Sequence, residues 1–380
     1  MNDLEAVMQK VKDLTQSIIA PAAGDYDKTG QWPETSVKAL AEAGLLGITV
    51  PKEFGGLGLG PSEFVRVTEE IAAACASTGM IFVMHVAATE VIKQSALPQS
   101  DSILSEIANG RHLSTLAFSE RGSRSNFWAQ ISQARMEDGA IILNCEKSWV
   151  TSAGHATSYI VSSRAVSSSA PTESTLYYVE ADTPGLEISG PWNGLGLRAN
   201  ASSPISIDGC RVSTDSRLSN EGDGFNVMLS VVLPWFQLGS AAVANGIGRA
   251  ALTATSSHMV SARLEHLDES LASLPALRAQ LARARIKLDA SRALTSESAH
   301  AVDQPDETTM LKVLEVKACA GETALEVTDA AMRLCGGAAF SGHVPVERYF
   351  RDARAGAVMA PTTDVLYEFI GKALLGLPLF

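Results

Sequence analysis

The chain has 380 residues, 46% of them hydrophobic and 19% charged, with a formal net charge of −12. That length and apolar content predict two or three domains with large cores, and the acidic balance, with scattered basic residues, excludes an electrostatic footprint for nucleic acid. Five widely spaced cysteines (Cys75, Cys145, Cys210, Cys319, Cys335) form no C-x-x-C pair and read as free thiols, and the acidic N-terminus lacks a signal-peptide core; the cytoplasm is the expected location.

Residues 1–112 read as a helical domain. Pro33 to Gly44 has proline at its start, apolar residues at i, i+3 and i+4, and glycine at its stop. The glycine-rich run Gly55 to Gly60 lacks both the Lys-Ser/Thr of a P-loop and the G-x-G-x-x-G spacing of a dinucleotide fold. It reads as a tight connection before a helix starting near Pro61. On that domain's apolar helix, His85 sits among Met84, Val86 and Ala87 and reads as a core residue.

Residues 113–218 change texture. Short runs at Leu116–Phe118, Ala129–Arg135, Ile141–Leu143, Ser158–Arg164, Thr175–Glu180, Leu186–Ile188 and Ile205–Ile207 are separated by turn signals such as Asp138-Gly139 and Asp208-Gly209. They predict a compact antiparallel β-domain, a small barrel or sandwich. Within it, Lys147-Ser-Trp149-Val-Thr151 follows an apolar strand. Alternation places Trp149 and Thr151 on one strand face, where an indole can cover a flat heteroaromatic ring and a hydroxyl can bond its edge; a buried core pair fits the same residues.

Residues 219–380 are helical again, so the fold class is α+β. Phe225 to Leu252 is long enough to span a membrane, but Pro234, Gln237, Asn245 and three glycines interrupt it, and it reads as a helix buried on all sides. Pro275 to Leu294 and Glu307 to Leu334 are strongly periodic, with a boundary at Pro305. A last helix begins at Thr362-Thr363-Asp364, hydroxyls at its cap and an acid in its first turn. None of the seven histidines (His85, His112, His155, His258, His266, His300, His343) shows ligand spacing, and no metal is expected.

Helices, a β-domain and a four-helix bundle, in that order, resemble the acyl-CoA dehydrogenase family over essentially the whole chain. The blocks that carry the resemblance are Leu45 to Pro51 with Gly55-Gly56-Leu57-Gly58; Ser119-Glu120 with Ser125; Lys147-x-Trp149-Val150-Thr151; Gly194-Leu-Gly-Leu-Arg198; Gly222-x-Gly224-Phe225; Gly336-Gly337; and Arg351-Asp-Ala-Arg354. The resemblance implies FAD bound between the β-domain and the C-terminal bundle, in a homotetramer or homodimer. It implies Trp149 packed on the isoalloxazine, Thr151 at its edge, Phe118 and Ser119 along it, Ser125 near a phosphate, and Thr362 and the Gly336-Gly337 pair at the cofactor. Leu264 stands where the family has an arginine, leaving the adjacent Arg263 for a phosphate, and Arg333 stands where a glutamine is usual. Both arginines also fit surface ion pairs.

The family's reaction removes a proton beside a thioester and passes hydride to the flavin, which needs a carboxylate within reach. Of the two positions that supply it, one holds Ala360 and the other Phe236. Asp364 or Glu368 could substitute, although both also read as helix-surface residues. The expected function is an FAD-dependent oxidation of a CoA-linked or similar small acyl substrate, with a flavin electron acceptor or reductase as partner and no membrane span. A flavin monooxygenase, N-hydroxylase or desulfinase on the same scaffold, or a non-catalytic, partner-dependent subunit, remains open. Arg121 and Arg124, in a loop where small residues are usual, could grip an anion of the substrate or face solvent.

Overall fold

The computed structural model describes residues 3–124 and 126–379. Six helices come first: α1 (Asp3–Leu14), α2 (Ala20–Thr29), α3 (Glu34–Glu42), α4 (Pro61–Ala74), α5 (Ala76–Gln94) and α6 (Ser100–Ala108). α5 is apolar on every side and almost wholly buried, so it forms the spine of this unit. His85 is fully buried there. Its Nδ1 accepts the Ser114 N–H at 3.1 Å, which leaves the Nε2 proton for the Leu46 carbonyl at 3.1 Å. Burial pushes this imidazole down to about 4, so it is a neutral bridge from the helices to the first strand.

The middle unit is a sandwich of two sheets. One orders β1 (Ser114–Ala117), β4 (Ser158–Arg164) and β5 (Ser174–Glu180); the other orders β2 (Arg135–Glu137), β3 (Ala140–Val150), β7 (Ser203–Val212) and β6 (Leu186–Ile188). Inward residues of both, including Leu143, Tyr159, Val161, Tyr177 and Ile205, share one core. Two expectations need correction. The sheets are not wholly antiparallel, because β1 pairs with β4 in parallel. The run Ala129–Arg135 is not a strand: the ladder begins only at Arg135, and the stretch before it is bent around the buried carboxylate of Glu120.

The C-terminal unit contains α7 (Gly224–Val227), α8 (Leu233–Ser261), α9 (Pro275–Asp303), α10 (Thr309–Cys335), α11 (Gly337–Phe340), α12 (Val346–Val358) and α13 (Thr363–Leu374), with a small β8–β9 ladder (Arg263–Leu264, Glu269–Ser270) after α8. A π-helical turn at Met228–Val232 makes α7 and α8 one continuous rod. The rod is long and apolar enough to cross a membrane, yet 78% of its most apolar window is buried against the rest of the chain. Gly246 explains how closely it packs, since a Cβ there would stand 2.7 Å from the Glu69 carbonyl. The core therefore runs without a break from α4 and α5 into α8 and α10, and the sandwich rests against this helical block.

Candidate active site

The crevice between the sandwich and the helices holds Phe118, Trp149, Thr151, Ala360 and Thr362, a minority of the residues singled out by sequence. Its floor is set by a buried ion pair. Lys147 Nζ donates to Glu120 Oε1 at 2.9 Å, the Ser162 carbonyl at 2.6 Å, Gln130 Oε1 at 3.1 Å and the Phe118 carbonyl at 3.3 Å. Glu120 also accepts the amides of Ile131 (2.6 Å) and Ser132 (3.0 Å) and the Ser132 hydroxyl. Burial alone would raise this carboxyl; the Lys147 charge and the Ser132 donors outweigh it and hold the group below its ordinary value. The pair thereby ties β1, β3, β4 and the 120–132 loop together. The sequence signal for this role is a lysine in phase with Ile141, Leu143 and Cys145, on the inward side of the strand.

Trp149, next to last in β3, has an unexpected pose. Its φ is +59°, the register against β7 slips between Lys147 and Val150, and its indole is 69% exposed while Thr151 is buried. The two side chains do not share a strand face, because the left-handed residue and the bulge break the alternation. Thr151 Oγ1 lies 3.1 Å from Ser202 Oγ, and its carbonyl accepts from Thr115 at 2.8 Å. Trp149 instead meets Trp192 edge-on, with centroids 6.1 Å apart.

The Arg351-Asp352 motif positions that neighbour. Arg351 grips Asp27 through both guanidinium nitrogens at 2.6 and 2.9 Å, and also bonds Glu347 at 2.7 Å. Asp352, pushed up to about 6 by burial, accepts the Leu197 N–H at 2.7 Å. Trp192 Nε1 donates to the Leu197 carbonyl at 2.9 Å. Gly196 lets this loop sit down: a Cβ there would be 2.5 Å from the Arg351 carbonyl. The motif thus acts at a distance, by fixing the wall beside Trp149.

From Phe118 an aromatic row crosses the crevice. Phe118 stacks on Phe127 at 6.4 Å, Phe127 meets Trp128 at 5.2 Å, and Trp128 meets Phe369 of α13 at 5.6 Å. Beside it lies a wholly apolar cavity of about 30 Å³, walled by Phe127, Trp128, Leu229, Leu233, Pro361 and Phe369. The turn from α12 to α13 forms one side of this cavity. Lys317, 2% exposed, donates from Nζ to the carbonyls of Pro361 (2.8 Å), Gly356 (3.0 Å) and Met359 (3.0 Å). Burial pushes its ammonium down to about 7. Ala360 lies on this clamped turn, half-buried, with Thr362 at the N-terminal cap of α13 but making no side-chain capping bond.

The remaining expected residues fall elsewhere. Asp364 and Glu368 are exposed on α13, and Glu368 pairs with Lys372 at 3.6 Å. Phe236 is half-buried and packs on the main core. Arg121 and Arg124 are exposed. Arg263 pairs with Asp268, and Arg333, 68% exposed, pairs with Asp329 at 3.0 Å. Arg333, Gly336 and Gly337 form a separate, open surface at the end of α10, where a Cβ on either glycine would meet nothing. Ser119 is half-buried beside β3, its carbonyl accepting Ser148 N–H at 2.8 Å. Ser125 lies outside the described residues.

Models of the acyl-CoA dehydrogenase N-terminal, middle and C-terminal domains match residues 1–111, 115–210 and 222–375 in that order. The chain belongs to the acyl-CoA dehydrogenase family. It is 28% identical over 378 residues to the mitochondrial short-chain specific acyl-CoA dehydrogenase of Rattus norvegicus, covering 98% of this chain and 90% of that one. Among solved structures, butyryl-CoA dehydrogenase from Megasphaera elsdenii superimposes with a TM-score of 0.93 at 23% identity, covering 99% of this chain and 98% of that chain. The FAD complex of PigA does so with a TM-score of 0.91 at 17% identity, covering 99% and 98%. As an acyl-CoA dehydrogenase family member the protein is an FAD-dependent oxidoreductase. Its residues fit the cofactor on one side: an exposed indole on a left-handed residue is a large apolar face held ready for a flat partner.

Proposed function

We propose that this flavoenzyme acts on a small acyl thioester, CoA-linked, at the crevice between Trp149 and the Met359-Ala360-Pro361 turn, and that no carboxylate at either customary position takes the α-proton. The observation that carries this reading is Ala360: the clamped turn beside the cavity presents a methyl group, and Phe236 fills the other position with an aromatic ring. A methyl cannot accept a proton, and an exposed Asp364 or Glu368 on the following helix is oriented to water.

The bound FAD would supply the hydride acceptor. The chain's own residues would supply the rest: Trp149 covers a ring face, Phe118 continues it into the aromatic row, and that row with Leu229 and Leu233 excludes water from a short acyl chain. Arg263, Arg333 and the Gly336-Gly337 corner, exposed and apart from this crevice, suit the phosphate end of a cofactor shared with a second copy of the chain. A homodimer or homotetramer, with an external electron acceptor, completes the reading. Its test is anaerobic titration of the purified yellow protein with a panel of acyl-CoAs, followed at the flavin's visible band. Spectral perturbation by short-chain thioesters with slow bleaching is expected; the absence of any perturbation overturns the substrate class.

A further inference from the structure

Several polar side chains in this region are buried without a partner, and Gln237 is the largest of them. Gln237 of α8 is fully buried, and neither its Oε1 nor its Nε2 meets a hydrogen-bonding group. The Ser240 hydroxyl, one turn on, is buried and unpartnered too. Each orphan of this kind costs about 1–3 kcal/mol, so interiors keep few without a use.

Helical spacing places Leu233, Gln237, Ser240 and Ala244 on one face of α8. Both ends of that strip are located. Leu233 walls the apolar cavity together with Pro361, while Ser240 and Ala244 wall a second, water-sized cavity of about 10 Å³ together with Gly356 and Met359. The strip therefore passes the Met359-Ala360-Pro361 turn, and Gln237, which walls neither cavity itself, stands on that helix face between Leu233 of the first and Ser240 of the second. Its amide is the polar group that the interior offers where the reacting end of a substrate would lie.

A neutral amide offers one acceptor and one donor direction at close quarters. A hydroxyl satisfies both at once and leaves Ser240 a third contact. An alkyl group would leave every orphan unmet, and a carboxylate would face the amide oxygen and carry a charge into an apolar cavity. We infer that Gln237 is a substrate-binding residue that selects an acyl group bearing a hydroxyl near its thioester end. The inference rests on the acyl-thioester reading above and names the substrate class within it.

The probes are butyryl-CoA, 2-hydroxybutyryl-CoA and 3-hydroxybutyryl-CoA, titrated into the FAD-loaded enzyme by calorimetry and by flavin-band perturbation. At least one hydroxyacyl-CoA should bind about 10-fold or more tighter than butyryl-CoA, the scale of one buried hydrogen bond. Gln237→Met, close in shape, should bring that ratio to about 1 while leaving butyryl-CoA binding within ~3-fold; Gln237→Leu serves as a second variant. Equal affinity in the wild type, or a preference that survives both variants, overturns the assignment alone. A melting midpoint that falls by several degrees in both variants marks a resident water as the partner and overturns it as well. Failure of all three thioesters to bind overturns the acyl-thioester reading, and the assignment with it.

Discussion

Replacing Lys147 with methionine should strip the crevice of its organising cation and leave Glu120 buried beside Gln130 and Ser162 with no positive partner. The side chains of Lys147 and Glu120 are 0% and 3% exposed, so neither is screened by water. Breaking a buried pair by removing one partner costs ~3–5 kcal/mol, which for a chain of this size lowers the melting midpoint by roughly 4–6 °C. Lys147→Met/Glu120→Gln removes the stranded charge while keeping an acceptor for the amides of Ile131 and Ser132, and should recover more than half of the loss. The pH dependence has a definite sign. In the wild type Glu120 is held below its ordinary value of 4.5, so its contribution is present above that pH and is lost on acidification. In Lys147→Met, burial is opposed only by the Ser132 donors, so the carboxyl rises; the penalty should therefore grow above about pH 5 and shrink near pH 4. Thermal melts of the four members of the cycle, read with bound-flavin fluorescence, measure both effects. Equal losses in the single and double variants, unchanged with pH, would refute the coupling.

Three other outcomes follow from the same geometry. Trp149→Ala should weaken FAD binding by ~10-fold or more through loss of the indole face, with little change in the apoprotein melt because the ring is 69% exposed; equilibrium dialysis of FAD checks it, and an unchanged affinity speaks against the indole as a cofactor face. Burial lowers Lys317 from its ordinary 10.5 to about 7, so between those values the unfolded chain keeps a proton that the folded chain sheds. Its stability contribution rises with pH over that window and is lost below about 7. Melts of wild type and Lys317→Met across about pH 6–9 should diverge in slope, and parallel curves would count against it. Trp128→Ala should enlarge the apolar cavity and shift acyl-CoA preference toward longer chains, at a stability cost of about 3–5 kcal/mol; an unchanged chain-length profile would place the acyl group elsewhere.

The three-unit layout was legible because each unit has a strong periodicity of its own, from the Pro33–Gly44 helix through the β-runs to the apolar rod now seen at Gly224–Ser261. Trp149 stood out in the sequence as a candidate to cover a ring, but its outward turn was not legible, since the left-handed residue and the register slip against β7 break the alternation that sequence spacing assumes. The reach of Arg351 to Asp27 could not be read either: 324 residues separate them, and only the folded chain joins them. Local patterns likewise gave no hint that Gln237 would lack a partner, because burial of a polar residue is decided by what packs against it. The β1–β4 parallel pairing was missed for the same reason; alternation reports faces, not strand direction.

The most direct measurement compares the rate of anaerobic flavin reduction by a short-chain acyl-CoA in the wild type and in Ala360→Glu. Supplying a carboxylate on the clamped turn should raise that rate by ~100-fold or more, the scale of a positioned general base. A wild-type enzyme that already reduces its flavin rapidly, with Ala360→Glu no faster, would show that another group takes the proton and would contradict the account.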